Sequence, residues 1–294
     1  MHAHDEPTLA LGPPSDRRPA SPRRIVPSGP LGPPESDAPP PGMFRTTITP
    51  AQDLETTRAR DGLPLPPRSL WRGYADSPAR YLELAENHVR SMLSTLHGAA
   101  IAPAPGSRVL DFGCAAGPML RVLHTNRPDL ELWGCDIDPL AIDWCRRHLP
   151  TTLRLFTNTT APHLPIPDAT FDLIYAGSVF THILYIADAW LLELARILKP
   201  GGILYTTIHD RAFIQHTIAH APDWPFTTLI QRHFTQQTLA SEWTPLTLGA
   251  GPNANAFYEH SYFIKIASPA LMYIAHAERA YGDQTAIILT RAFP

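Results

Sequence analysis

The stretch Val109-Leu110-Asp111-Phe112-Gly113-Cys114-Ala115-Ala116-Gly117-Pro118-Met119-Leu120 decides the fold. It reads as a short apolar strand with an acid near its carboxyl end, a tight turn of small residues, and a helix opened by proline. A turn of this kind brings backbone N–H groups and a helix N-terminus up to a ligand. Gly113 and Gly117 bracket it, and a residue without Cβ lets a ligand approach the backbone. In a G-x-G-x-x-G dinucleotide fingerprint the second and third glycines would fall where Ala115 and Pro118 stand. That departure disfavours a nicotinamide dinucleotide.

Downstream, apolar runs alternate with helical patterns, as a doubly wound sheet requires. Strands are expected over 108–111, 130–136, 153–156, 171–176, 202–208 and 285–290. Helices are expected over 118–126, from Asp138-Pro139 onward, up to Leu198, and through 220. Ser268-Pro269 reads as a further helix cap with proline behind it. The second strand closes on Gly134-Cys135-Asp136-Ile137-Asp138, and a strand-end acid at Asp136 is suited to the hydroxyls of a ribose. Asp138, directly before Pro139, is expected to cap the next helix.

Upstream, residues 1–67 hold about half of the chain's 33 prolines and hardly any aromatic residues. Proline removes backbone donors and the segment has little to bury, so a disordered proline-rich tail is expected. Ser77-Pro78 opens a helical pattern through Tyr81, Leu82, Leu84, Ala85, His88, Val89, Met92, Leu93 and Leu96, which Gly98 stops. This gives a helical lid over 68–100, carrying Arg72, Tyr74 and Tyr81, ahead of a domain over 101–294. Within that domain, 221–260 is loop-rich, with Trp224, Phe226, Trp243, Phe257 and Tyr258, and reads as an insertion forming a pocket wall.

The 294 residues are 44% hydrophobic with a formal net charge of −3, enough for a sizeable core and no general pull toward nucleic acid. Three cysteines without metal spacing fit a reduced, cytoplasmic chain. The amino terminus lacks a signal-peptide pattern, and no apolar run is long enough to span a membrane.

Four ordered pieces carry a resemblance. They are Asp111 to Gly117 (Asp-Phe-Gly-Cys-Ala-Ala-Gly), Gly134 to Pro139 (Gly-Cys-Asp-Ile-Asp-Pro), Leu164 to Tyr175, and Ala195 to Leu204 with its Lys-Pro-Gly-Gly turn. Together they resemble the successive motifs of class I S-adenosylmethionine-dependent methyltransferases. Ser178 to Ile183 (Ser-Val-Phe-Thr-His-Ile) is similar to a bacterial branch often placed among glycan and natural-product methyltransferases. The resemblance implies a mostly parallel, seven-stranded Rossmann-like α/β sheet, with S-adenosyl-L-methionine as cofactor and S-adenosyl-L-homocysteine as product. It implies that Asp111, Gly113, Cys114, Ala115 and Gly117 line the methionine and ribose portions. Asp136 would bind the ribose hydroxyls, Ile137 would lie against adenine, Asn158 would meet the adenine amine, and Ser178 would sit by the amino or sulfonium end.

Methyl transfer asks chiefly for alignment, since the sulfonium is already activated; a hydroxyl nucleophile also gains from a general base. His209, after the fifth strand, and His182, after the fourth, both fall at the sheet's carboxyl edge and are the expected catalytic candidates. No metal is expected, because Ser178 and Thr181 replace the glutamates of related metal-dependent enzymes. The Asn-Pro-Pro-aromatic motif of nitrogen-directed enzymes is missing after the fourth strand, where Tyr175-Ala176-Gly177-Ser178 stands. The expected activity is methyl transfer to a small-molecule hydroxyl, on a natural product or sugar. A peptide or nitrogen acceptor, and a non-catalytic cofactor- or partner-binding role, are the alternatives. A homodimer and a partner for the proline-rich tail stay open.

Overall fold

The computed structural model describes residues 58–249 and 254–293. Most of the expected tail therefore lies outside the described residues. Seven strands form one sheet in the order β3-β2-β1-β4-β5-β9-β8. They are β1 (Arg108–Phe112), β2 (Glu131–Asp136), β3 (Arg154–Thr157), β4 (Phe171–Ala176), β5 (Leu198–Ile208), β8 (Leu271–Tyr281) and β9 (Gln284–Arg291). The first five are parallel; β9 runs antiparallel to β5, and β8 to β9. The order reverses between β1 and β4, and ligands bind beyond the carboxyl ends of the strands at such a switch point.

Side chains alternate across this sheet with the period of two that a strand imposes. Leu110, Phe112, Ile174, Leu204 and Ile287 face one layer, against Trp190, Leu191 and Leu194 of α4 (Ala187–Ile197) and Phe263 of α8 (His260–Ala267). Val109, Leu173, Tyr175, Tyr205 and Ile288 face the other. That layer holds α1 (Pro78–Gly98), α2 (Pro118–Asn126) and α3 (Pro139–His148). Both faces are covered, which is why β1 and β4 read as continuous apolar runs. Among the described residues, no helix is long and apolar enough to cross a membrane.

Helix starts follow their caps. Ser77 accepts from the Arg80 N–H ahead of α1, and Asp138 accepts from the Leu140 N–H at 3.0 Å ahead of α3, each with proline at the first helical turn. Asp210 caps α5 (Arg211–His220) in the same way, accepting from the Phe213 N–H. Beyond it, α6 (Pro225–His233), α7 (Gln236–Leu239) and the hairpin β6 (Leu246–Leu248) with β7 (Asn255–Phe257) build a cap around Phe213, Ile230, Phe234 and Phe257.

Two expectations need correcting. Ser268-Pro269 opens no helix: Ser268 closes α8, its N–H bonding the Ile264 carbonyl at 3.0 Å, and the chain then enters β8. A proline after a helix end serves as a stop as readily as a start. Second, 58–67, grouped with the tail by composition, is an ordered strap. Arg121 of α2 is 0% exposed and grips Asp61 through a fork, Nε to Oδ2 and Nη2 to Oδ1 each at 2.7 Å. Its remaining donors reach the carbonyls of Leu63 and Pro64. A buried guanidinium must be paired, and the strap supplies the pair.

Candidate active site

The turn after β1 is held from the end of the neighbouring strand β2. Asp136, at the end of β2, accepts from the Ala115 N–H and from the Asp138 N–H, each at 2.8 Å. It thereby ties the small-residue turn to the start of α3, and each carboxylate oxygen keeps lone-pair capacity for a further donor. Gly113 has φ +85°, and a Cβ there would run into the Val179 side chain. Gly117, with φ +71°, is the N-cap of α2; a Cβ would meet Leu149 at 2.6 Å. Its role is thus the turn and close packing on the end of α3. Ala115 also sits at positive φ, uncommon for a residue with a Cβ.

Asp111 is buried beside Tyr175 and Asp136, and burial drives its carboxyl up to about 8, with the Tyr175 hydroxyl opposing and the Asp136 charge adding to the rise. Asp136 is raised in the same sense, by burial first. Burial also pushes the Cys114 thiol well above its ordinary value, so it is an inert apolar wall. Ile137 is 57% exposed just past Asp136, an apolar surface standing open beside the acid. Asn158 is buried after β3; its Nδ2 bonds the Thr159 carbonyl, and its Oδ1 has no partner. Ser178, at positive φ beyond β4, belongs to a ring of hydrogen bonds. Its N–H donates to Thr207 Oγ1 at 2.7 Å, Thr207 donates to Gln284 Oε1 at 2.6 Å, and Gln284 Nε2 returns to Ser178 Oγ at 2.9 Å.

A cavity of about 700 Å³ opens at this edge. Asp111, Gly113, Cys114, Ala115, Ser178 and His209 line it; Gly117, Asp136, Ile137, Asn158 and His182 do not. Its opposite wall comes from residues far off in sequence: Trp71, Arg72 and Tyr74 before α1, and Trp224 with Phe226 of the cap. Trp243, Phe257 and Tyr258, expected in the same wall, pack elsewhere: Trp243 edge-on to Phe234, Phe257 in the cap core, Tyr258 with Phe263. Arg72 pairs with Asp138, the cap of α3, and so fastens the segment before α1 across the turn.

His209 is 5% exposed, stacked on Phe213 at 4.0 Å, and its Nδ1 is buried without a partner. Burial, then the nearby His182, push it down to about 3, against the Ala256 main chain, so it is neutral at ordinary pH. His182 is exposed, its Nδ1 on the Ala254 carbonyl at 2.8 Å. The residues that sequence reasoning missed are His88, Tyr281 and Gln284. His88 Nδ1 meets the Tyr74 hydroxyl at 2.9 Å, and its ring stacks 3.7 Å from Tyr281, which lies against Gly177. On α1 it reads as one more residue of the apolar face; only its distant partners mark it. Burial, then Arg80, lower it to about 4.

The comparisons agree with this geometry. Residues 110–206 match the methyltransferase domain family. A fatty-acid O-methyltransferase of Mycolicibacterium smegmatis is 32% identical over 164 residues, 54% of this chain and 60% of that protein. The 27-O-demethylrifamycin SV methyltransferase of Amycolatopsis mediterranei is 29% identical over 143 residues, 46% of this chain and 49% of that one. The chain thus spans about half to three-fifths of the length of these curated relatives. An S-adenosylmethionine-dependent methyltransferase from Methanosarcina mazei superposes with a TM-score of 0.50 at 16% identity, over 68% of this chain and 98% of that one, a likeness of fold. The order of the motifs, the turn at the switch point and these matches together assign residues 110–206 to the class I S-adenosylmethionine-dependent methyltransferase family, whose cofactor is S-adenosyl-L-methionine.

Proposed function

We propose that this chain transfers the methyl group of S-adenosyl-L-methionine to a hydroxyl of a small molecule, a natural product or sugar. The observation that carries the reading is the single cavity that joins the Asp111–Ala115 turn to His209 and an aromatic wall. Its volume lies in the range of small-molecule sites.

The residues fit the cofactor. Asp111, a buried carboxyl with no counter-charge against it, suits a cationic amino group. Asp136 suits the ribose hydroxyls, Ile137 offers an apolar face to adenine, and the unpartnered Oδ1 of Asn158 is an acceptor for the adenine amine. Cys114, Ala115 and Gly113 shape the turn, and Ser178 closes the far side. When bound, the cofactor supplies an electrophilic methyl. The chain supplies alignment of the acceptor and exclusion of water by the Trp71–Tyr74 segment and the cap. His209, neutral and lining the cavity, is the proposed acceptor-side residue; His182, outside the lining and held on the Ala254 carbonyl, is the second candidate.

Isothermal titration with S-adenosyl-L-homocysteine tests the cofactor reading. The chain is expected to bind it, and Asp136→Ala to weaken binding at least tenfold. No binding by the unaltered chain, or an Asp136→Ala variant that binds as well, refutes it.

A further inference from the structure

The acceptor half of the cavity is largely apolar and aromatic. Among the described residues its lining holds only three formally charged side chains, Arg72, Asp111 and Asp283. Arg72 is committed to Asp138, the N-cap of α3. Asp283 lies 3.4 Å from His216, at the rim of the β8–β9 turn. The two histidines in the lining, His88 and His209, are both held neutral by burial. The remaining polar side chains of the lining, Ser178, Gln284, Asn255 and the tyrosines, are uncharged, and Ser178 and Gln284 are joined to each other.

Beside the cofactor that Asp111 is proposed to hold, a carboxylate brought into this space would meet the Asp283 carboxylate and, among the lining side chains, no cation that lacks an acidic partner. Removing a carboxylate from water without a partner costs several kcal/mol or more, so an anionic acceptor is rejected. The shape of the wall says what is accepted. Trp224 is 48% exposed although it borders the cavity, and it meets Phe226 edge-on at 5.0 Å. Tyr74 and the stacked pair His88–Tyr281 line the same cavity. A lining this rich in aromatic side chains favours a flat ring over a flexible alkyl chain, because aromatic contact adds to the area buried and the rigid ring loses little conformational freedom.

We infer that the acceptor is an uncharged, planar, ring-bearing hydroxyl compound, packed against the aromatic lining that Tyr74, Trp224 and Phe226 supply. The inference rests on the methyltransferase reading and narrows it. It also separates this chain from the fatty-acid O-methyltransferase to which it is similar, since the acceptor in that protein's name is an acid.

The test uses the full chain saturated with S-adenosyl-L-homocysteine at pH 7, titrated with 2-naphthol, 2-naphthoate and 1-octanol. The first two share a ring system and differ in charge; the third is neutral but flexible. We expect 2-naphthol to bind, 2-naphthoate to bind at least tenfold more weakly, and 1-octanol more weakly than 2-naphthol. Trp224→Ala, at a half-exposed position the fold tolerates, should cost about tenfold in 2-naphthol affinity and leave S-adenosyl-L-homocysteine affinity unchanged. Binding of 2-naphthoate or 1-octanol equal to or tighter than that of 2-naphthol overturns the inference, as does failure of 2-naphthol to bind. Failure to bind S-adenosyl-L-homocysteine would instead sink the cofactor reading on which the inference stands.

Discussion

The carboxyl of Asp111 gives the sharpest test of how the cofactor is held. In the free chain burial places it at about 8. Contact with a cationic amino group favours the charged form, so binding must expel the proton. With an ordinary titration about 24% of the free chain is ionised at pH 7.5 and about 1% at pH 6. Affinity for S-adenosyl-L-homocysteine should therefore fall about 25-fold, or about 2 kcal/mol, between those values. At pH 7 about 0.9 proton should leave per ligand bound. His88 and His209, lowered to about 4 and about 3, stay neutral across this window and do not contribute. Calorimetry in phosphate and in Tris, whose ionisation enthalpies differ, measures the protons directly. Asp111→Asn keeps the shape and removes the titration, so its affinity should be flat with pH and weaker at pH 7.5. Equal heats in the two buffers together with a flat affinity in the unaltered chain would refute the argument.

The same carboxyl makes a stability prediction. A folded-state pKa raised above the unfolded value means stability falls as pH rises from the carboxylate range through about 8, so Asp111→Asn should raise the melting temperature of the free chain at pH 8, less so at pH 5, and leave it nearly unchanged at about pH 3, by scanning calorimetry. Asp61→Asn strands a fully buried guanidinium and should cost about 3–5 kcal/mol in urea unfolding at pH 7. Burial opposes but Arg121 prevails in holding the Asp61 carboxyl low, so that deficit is full above the carboxylate range and closes as pH falls through the lowered value. Arg72→Ala removes an ion pair whose arginine is largely exposed; stability should change by no more than about 1 kcal/mol, while stopped-flow release of S-adenosyl-L-homocysteine should quicken. His209→Ala should slow turnover far more than it weakens cofactor binding; unchanged turnover removes His209 from the reaction.

What was legible in the sequence was what is encoded locally. β1, its turn and the start of α2 lie within a dozen residues, and apolar run, glycine and proline each act at their own position. Asp138 was legible as a cap for the same reason. β8 was not: its face is half exposed, with Met272, Tyr273 and Ile274 in contact with water, so no alternation announced it. Ser268-Pro269 carried a signal that suits either end of a helix, and packing of α8 through Phe263 and Ala267 decided which. The site divides along the same line. The cofactor side belongs to one strand-turn-helix and the next strand end. The acceptor side is assembled from Tyr74, His88, Trp224, Tyr281 and Gln284, and His88 meets Tyr281 only because β8 returns to the sheet edge. No local pattern records a contact of that span.

The Asp61–Arg121 fork also dictates an order of events during synthesis. The carboxylate precedes its guanidinium by 60 residues, so at ordinary translation speeds it emerges roughly 3–12 s earlier. Through that interval the strap has nothing to close upon. Arg121 in turn is made before most of the sheet that will bury α2, and it can leave water only with Asp61 already waiting upstream. A nascent chain shortened to start at Arg68 would deliver the same helix with its arginine unmatched. The ten residues before it thus hold the partners of Arg121, and synthesis supplies them before α2.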